Sequence, residues 1–109
     1  MADKLETFTD ASWQAQVLQS RQPVLVDFWA DWCVPCKALV PVMEAVATHF
    51  GGRLKVGKVN VDENSMVAEQ YDIRTLPTLL VFKNGTVSEQ RIGLISKDAL
   101  IKLVEPHLS

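Results

Sequence analysis

Residues 24–37 read Val24-Leu25-Val26-Asp27-Phe28-Trp29-Ala30-Asp31-Trp32-Cys33-Val34-Pro35-Cys36-Lys37. The first seven form an almost unbroken apolar run of strand length, the mark of a strand covered on both faces. The two cysteines beyond it are the only ones in the chain. They open a segment in which Leu39, Val42, Met43, Val46 and Phe50 recur at helical spacing until Gly51-Gly52 stops it. The spacing predicts a helix over 33–50. Pro41 lies inside it and removes the hydrogen bond to the Lys37 carbonyl, which predicts a kink there.

A strand running into two cysteines at i and i+3 of a helix start suits the making and breaking of one disulfide. Residues three apart on a helix have Cβ atoms ~5–6 Å apart, and a disulfide wants its Cα atoms ~4.4–6.8 Å apart. The pair can close and reopen with little backbone movement. With Cys33 at or near the N-cap, its sulfur lies off the positive end of the helix dipole and close to unpaired N–H groups. Those groups favour the thiolate, which is the nucleophile, and Lys37 adds a positive charge. Cys36 falls inside the first turn facing inward, so it attacks second and resolves. Pro35 is tolerated because a first-turn N–H has no helical partner. The alternative is a structural staple or two inert thiols, but a chain with this much core needs no staple.

A length of 109 residues with 48% hydrophobic content predicts one globular domain over residues 1–109. The net charge of −2 argues against nucleic acid or an acidic membrane surface as main partner. Met1-Ala2-Asp3-Lys4 is polar, no apolar signal region follows, and no run is long enough to span a bilayer. An initiating Met1 argues against a removed signal peptide. The expectation is a cytoplasmic chain, in a reducing compartment where a cysteine pair is more often catalytic or metal-binding than structural.

Elsewhere, Thr9 and Asp10 predict caps for a short helix over 12–19 with Trp13, Val17 and Leu18 on its apolar face. Residues 54–61 read as a strand, and Asn64 or Ser65 as the cap of a short helix ending near Tyr71. Residues 78–82 and 86–92 read as strands joined by a hairpin at Asn84-Gly85. Ser96 caps a last helix carrying Leu100, Leu103 and Val104, curtailed by Pro106. The order βαβαβαββα calls for an α/β fold, a mixed central sheet with helices on both faces. Asp27 is a carboxylate within an apolar strand, where burial raises a carboxyl pKa toward neutrality; the plainer reading is a solvated, idle Asp at a strand edge. Trp13 reads as core, Trp29 as packed beside the cysteines, and Trp32 as the tryptophan free to meet a partner. His49 and His107 lack ligand spacing to the cysteines, so a closed metal site within one chain is not expected.

With these residues in order, the chain resembles the thioredoxin family over essentially its whole length. The resemblance rests on Trp32-Cys33-x-Pro35-Cys36-Lys37, the preceding Val26-Asp27-Phe28-Trp29-Ala30, and Pro41. It extends through Lys58 with Val59-Asn60-Val61-Asp62, then Thr75-Leu76-Pro77-Thr78 and Gly93. It implies the thioredoxin fold and a protein-disulfide reductase that donates electrons to disulfide-containing proteins through a mixed disulfide. Cys33 would attack and Cys36 resolve. Asp27 would sit beneath the cysteines and accept the proton of Cys36 through water, with Lys58 beside it tuning its charge. The partner groove would comprise Trp32, Val34, Pro35, Val61, Leu76, Pro77, Gly93 and Leu94 around an exposed sulfur. The implied cofactor is none beyond the Cys33–Cys36 disulfide, and the implied recycling partner is a thioredoxin reductase, with the protein a monomer. Cis X–Pro bonds make up only ~5–6% of X–Pro bonds in folded proteins, so Pro77 alone predicts trans. The resemblance reverses that to cis, facing the disulfide, with the Leu76 backbone free to pair with an extended substrate segment.

The chain departs from the family pattern at Val34, usually glycine, and at Asp72 and Thr75, often glycine. If the backbone needs positive φ there, Asp72 tolerates it better than β-branched Thr75. Gly93 could equally be a plain strand-end turn, and Lys58 a plain solvated lysine. Three other functions stay open on the residues alone. One is a binding subunit with dispensable cysteines; another is a metal or iron–sulfur protein in which two chains each give two thiolates. The third, kept open by Val34, is a disulfide oxidant or isomerase.

Overall fold

The computed structural model describes residues 5–108. In chain order the elements are β1 (Glu6–Thr7), a π-helical turn (Gln14–Leu18), β2 (Val24–Trp29), α1 (Val34–Phe50), a 3₁₀ turn (Gly51–Arg53), β3 (Lys55–Asn60), α2 (Ser65–Gln70), β4 (Thr78–Lys83), β5 (Thr86–Ile92), α3 (Lys97–Val104) and a closing 3₁₀ turn (Glu105–His107). The sheet runs β1-β3-β2-β4-β5. β1 and β2 lie parallel to β3, while β2–β4 and β4–β5 are antiparallel. Two parallel crossovers followed by a hairpin produce that mixture, and helices cover both faces.

β2 is the central strand, which explains its unbroken apolar sequence: Val24 through Phe28 are all buried. Its side chains alternate between two cores. Leu25 joins Leu39, Met43, Val46, Leu100 and Val104 under α1 and α3, with Val56, Leu79 and Val81 from the neighbouring strands. Val24, Val26 and Phe28 join Phe8, Trp13, Val17, Val67 and Phe82 on the opposite face. Asp27 shares the period of Leu25, so it points toward the α1 side. Trp13 is core as expected, its ring packed near those of Phe8, Phe28, Tyr71 and Phe82.

Local sequence signals place most boundaries. Gly51 caps α1 at φ 55°. Asn84 and Gly85, at φ 54° and 79°, give the two left-handed residues a tight two-residue hairpin needs. Ser96 caps α3 by accepting from the Ala99 N–H. Asp72 takes the positive φ, 55°, that the glycine pattern anticipates, and Thr75 does not.

The short helix expected over 12–19 is instead a π-helical turn over Gln14–Leu18, closed by Gln19 N–H to the Gln14 carbonyl. The wider turn keeps Trp13 and Val17, four residues apart, on the same buried side. Thr9 and Ser12 bond to each other at its start, but Asp10 does not cap it. The Asp10 carboxylate accepts from Met66 and Val67 of α2. Asn64 occupies the N-cap position of α2 without a capping bond of its own, because its amide is engaged by the Asp10 N–H and the Asn60 carbonyl. Asp10 therefore serves a helix far away in sequence, while Thr9 keeps its bond to the Ser12 N–H beside its own turn. No helix among the described residues is long and apolar enough to cross a membrane.

Candidate active site

Cys33 is the N-cap of α1. Its backbone is extended (φ −96°, ψ 104°), and its Sγ accepts from the Cys36 N–H at 3.3 Å. Sulfur here takes the place that a serine or aspartate oxygen usually fills. Pro35, lacking an N–H, sits in the first turn where none is needed. Cys33 and Cys36 are joined as a disulfide with Cα atoms 5.3 Å apart, inside the range that i, i+3 helical spacing gives.

The sulfurs are less open than the expectation of an exposed sulfur allowed: Cys33 is 5% exposed and Cys36 1%. The reason is local packing, since Ala30, Trp29, Val61 and Leu76 close around the pair. Cys33 is still the more accessible of the two. Beside it stand Trp32 and Val34, 69% and 75% exposed, with Pro35 exposed as well.

The Leu76–Pro77 bond is cis, as the resemblance implies and contrary to the expectation from Pro77 alone. Pro77 is buried and opens β4, and its carbonyl accepts from the Gly93 N–H at 2.9 Å. Gly93 has φ 93°, a conformation an L side chain rarely adopts and a strand-end turn can require. Leu94 follows, half exposed. With Ala38, Val42, Ile95 and Ser96 it lines an open, largely apolar recess of about 410 Å³.

Asp27 lies on the α1 side of β2, fully buried, paired in register with Lys58 on one neighbour and Leu79 on the other. Neither carboxylate oxygen has a hydrogen-bond partner among the described residues. Burial without hydrogen bonds penalises the anion, and the Asp27 carboxyl is pushed up to about 7, the positive charge of Lys58 offsetting part of the rise. The idle strand-edge reading does not survive this burial. Lys58 is half-buried, and its ammonium lies 5.0 Å from the centre of the Trp29 ring. Asp27 can therefore hold or release a proton near neutral pH.

One carboxylate at the site was missed by reading residues singly. Asp62 accepts from the Trp32 indole N–H at 2.9 Å, and the signal was its position just past the end of β3, the parallel neighbour of β2. His49 packs edge-on against Phe50, and His107 pairs with Glu89 at 3.4 Å; neither joins the cysteines. Among the described residues no three His, Cys, Asp or Glu side chains gather as a metal ion requires.

The family model described as Thioredoxin matches residues 4–106. The chain is 47% identical over 100 residues to Thioredoxin 1 of Nostoc sp., covering 92% of this chain and 94% of that one. It is 42% identical over 108 residues to the thioredoxin of Pseudomonas aeruginosa, covering 99% and 100%. It is 44% identical over 108 residues to the thioredoxin of Acidithiobacillus ferridurans, again covering 99% and 100%.

Proposed function

The chain belongs to the thioredoxin family, and we propose that within it Cys33 is the attacking sulfur and Cys36 the resolving one. The chain is a thiol–disulfide oxidoreductase acting as a protein-disulfide reductase. In the dithiol form the Cys33 thiolate attacks one sulfur of a substrate disulfide. A mixed disulfide forms, and the first substrate sulfur leaves as a thiolate that takes up a proton. Cys36 then gives up its proton, and its thiolate attacks the Cys33 sulfur. The second substrate thiol departs and the Cys33–Cys36 disulfide closes. Two electrons have passed to the substrate.

The observation that carries the assignment is the Cys36 N–H aimed at the Cys33 sulfur from the first turn of α1. That donor, with the helix dipole behind it, stabilises negative charge on Cys33. The residues around the pair divide by position. Asp27, poised near neutrality, is the proton acceptor for Cys36, reached through water, and Lys58 tunes it. Trp32, Val34, Pro35, Val61, Leu76, Pro77, Gly93 and Leu94 form the groove for an extended segment of the substrate protein. Residues 1–109 work as one thioredoxin domain, monomeric and cytoplasmic, and a separate thioredoxin reductase resets the pair. The chemistry draws on no cofactor beyond the disulfide.

Catalysed reduction of insulin by dithiothreitol tests this reading. Cys33→Ser and Cys36→Ser are each expected to abolish catalysis. Full activity in either variant would favour a binding subunit with dispensable cysteines.

A further inference from the structure

The Asp10 and Asn64 contacts described above belong to a continuous set of hydrogen bonds that ends at Trp32. The Asp10 carboxylate accepts from Val67 N–H at 2.9 Å and Met66 N–H at 3.3 Å, satisfying two of the open donors at the start of α2. The Asp10 N–H donates to Asn64 Oδ1 at 2.9 Å, and Asn64 Nδ2 donates to the Asn60 carbonyl at 3.0 Å. Asn64 is a buried polar residue, 7% exposed, whose amide is thus used on both its oxygen and its nitrogen. Asn60 ends β3 opposite Trp29 and turns its own Oδ1 to the N–H groups of Asp62 and Glu63, at 2.9 and 3.3 Å. Asp62 Oδ2 in turn accepts the Trp32 indole N–H.

With the Val61 N–H donating to the Trp29 carbonyl at 2.9 Å, the segment 61–64 is tied at its start, middle and end. It also carries Val61, which packs on the disulfide. Trp32, by contrast, is largely exposed on a loop, where a free side chain samples several rotamers and loses that freedom when a partner docks. An indole already held by Asp62 has less freedom to lose, and Asp62 can hold it only while its own loop is fixed.

We propose that Asp10 and Asn64 are positioning residues for the docking of protein substrates. The Asp10 carboxylate holds the start of α2, which the segment 61–64 leads into, and the Asn64 amide ties the end of that segment back to β3. Together they fix Asp62, and Asp62 holds the Trp32 indole in the orientation a partner meets. The proposal rests on Trp32 belonging to the partner groove. Neither Asp10 nor Asn64 takes part in the exchange of disulfides, so a small disulfide that needs no groove is indifferent to them.

The test is single-turnover oxidation of the reduced protein by insulin and, separately, by a small aromatic disulfide. The variants are Asp10→Ala, Asp10→Asn, Trp32→Phe and the double variant Asp10→Ala with Trp32→Phe. Asp10→Ala is expected to raise the half-saturating insulin concentration roughly three- to tenfold, with the limiting rate and the small-disulfide rate within about twofold. The Trp32 indole N–H resonance shifts in the same variant. Asp10→Asn, which keeps one acceptor oxygen, recovers most of the loss. In the Trp32→Phe background, which lacks the indole N–H, Asp10→Ala adds nothing further. Should Asp10→Ala fail to fold, Asn64→Asp, an isostere lacking the donor to Asn60, carries the same comparison. Unchanged insulin saturation, a parallel loss with both substrates, or additive effects in the double variant would each overturn the proposal. If Trp32→Phe itself leaves insulin saturation unchanged, the groove assignment of Trp32 falls too. If Trp32→Phe raises it and Asp10→Ala does not, the groove stands and the positioning role alone is wrong.

Discussion

The backbone N–H of Cys36 donates to the Sγ of Cys33 at 3.3 Å, so the atom that caps α1 is the one we propose as the attacking sulfur. In the dithiol form that N–H faces a thiolate, and hydrogen bonds to ionised acceptors are roughly twice as strong as neutral ones. The contact lowers the energy of the thiolate and so readies it for attack. Because stabilising the reduced form also raises the reduction potential, a reductase requires that this stabilisation stay modest.

Val34, the departure from the family's glycine, points away from this contact into solvent. The pair is expected to equilibrate against a redox buffer near ~−270 mV, the value of thioredoxin, and Val34→Gly to shift it by less than about 15 mV. A potential above ~−200 mV would place the pair among isomerases and oxidants.

Asp27 makes stability depend on pH in a defined direction. Its folded-state pKa, about 7, lies above the ordinary 3.8. Well below pH 4 both folded and unfolded states are protonated and no penalty exists. Between pH 4 and 7 the unfolded chain releases its proton while the folded one keeps it, so stability falls with rising pH and then levels off. The gap corresponds to about 4 kcal/mol at most. Denaturant unfolding of the oxidised protein should find Asp27→Asn no more stable than the parent at pH 4. By pH 8 it should be more stable by up to that amount. An equal difference at both pH values would contradict the buried, neutral Asp27.

On its proposed role as proton acceptor for Cys36, removing the same carboxyl should slow resolution. Asp27→Asn is expected to lengthen the life of the mixed disulfide at pH 7 roughly a hundredfold, the low end of what a positioned base contributes. Quenched-flow trapping with insulin measures it. An unchanged lifetime would leave Asp27 without a part in the proton transfer.

Leu94 is half exposed at the edge of the apolar recess, so Leu94→Glu costs the fold within about 0.5 kcal/mol. On the groove reading it places a charge where an apolar segment docks. The half-saturating concentration of insulin is expected to rise roughly tenfold while reduction of a small disulfide is unaffected. Equal effects on both substrates would remove Leu94 from the groove.

What was legible in the sequence follows from how local each signal is. The unbroken apolarity of 24–28, the helical spacing from Leu39 to Phe50 and the left-handed pair Asn84-Gly85 each report on a few neighbouring residues, and the structure follows them closely. The family pattern adds the cis bond before Pro77, which no local preference favours. Long-range choices were not legible. Asp10 and Asn64 are both good caps by type, and only the folded chain decides that Asp10 serves α2, 56 residues away at Met66. The π-helical turn over Gln14–Leu18 likewise depends on where Trp13 and Val17 find their core. At the site, the two cysteines, their cap geometry and the burial of Asp27 could be anticipated. The depth of Cys33 could not, because Val61 and Leu76, which cover it, come from two other segments.

The central claim is that Cys33 attacks and Cys36 resolves. Reduced Cys36→Ser and Cys33→Ser variants, each mixed with excess insulin and analysed by intact mass under non-reducing conditions, test it directly. Cys36→Ser is expected to accumulate a stable mixed disulfide through Cys33, and Cys33→Ser to accumulate none on the same timescale. A stable adduct on Cys36 in the Cys33→Ser variant, formed as fast as the other, would contradict the account.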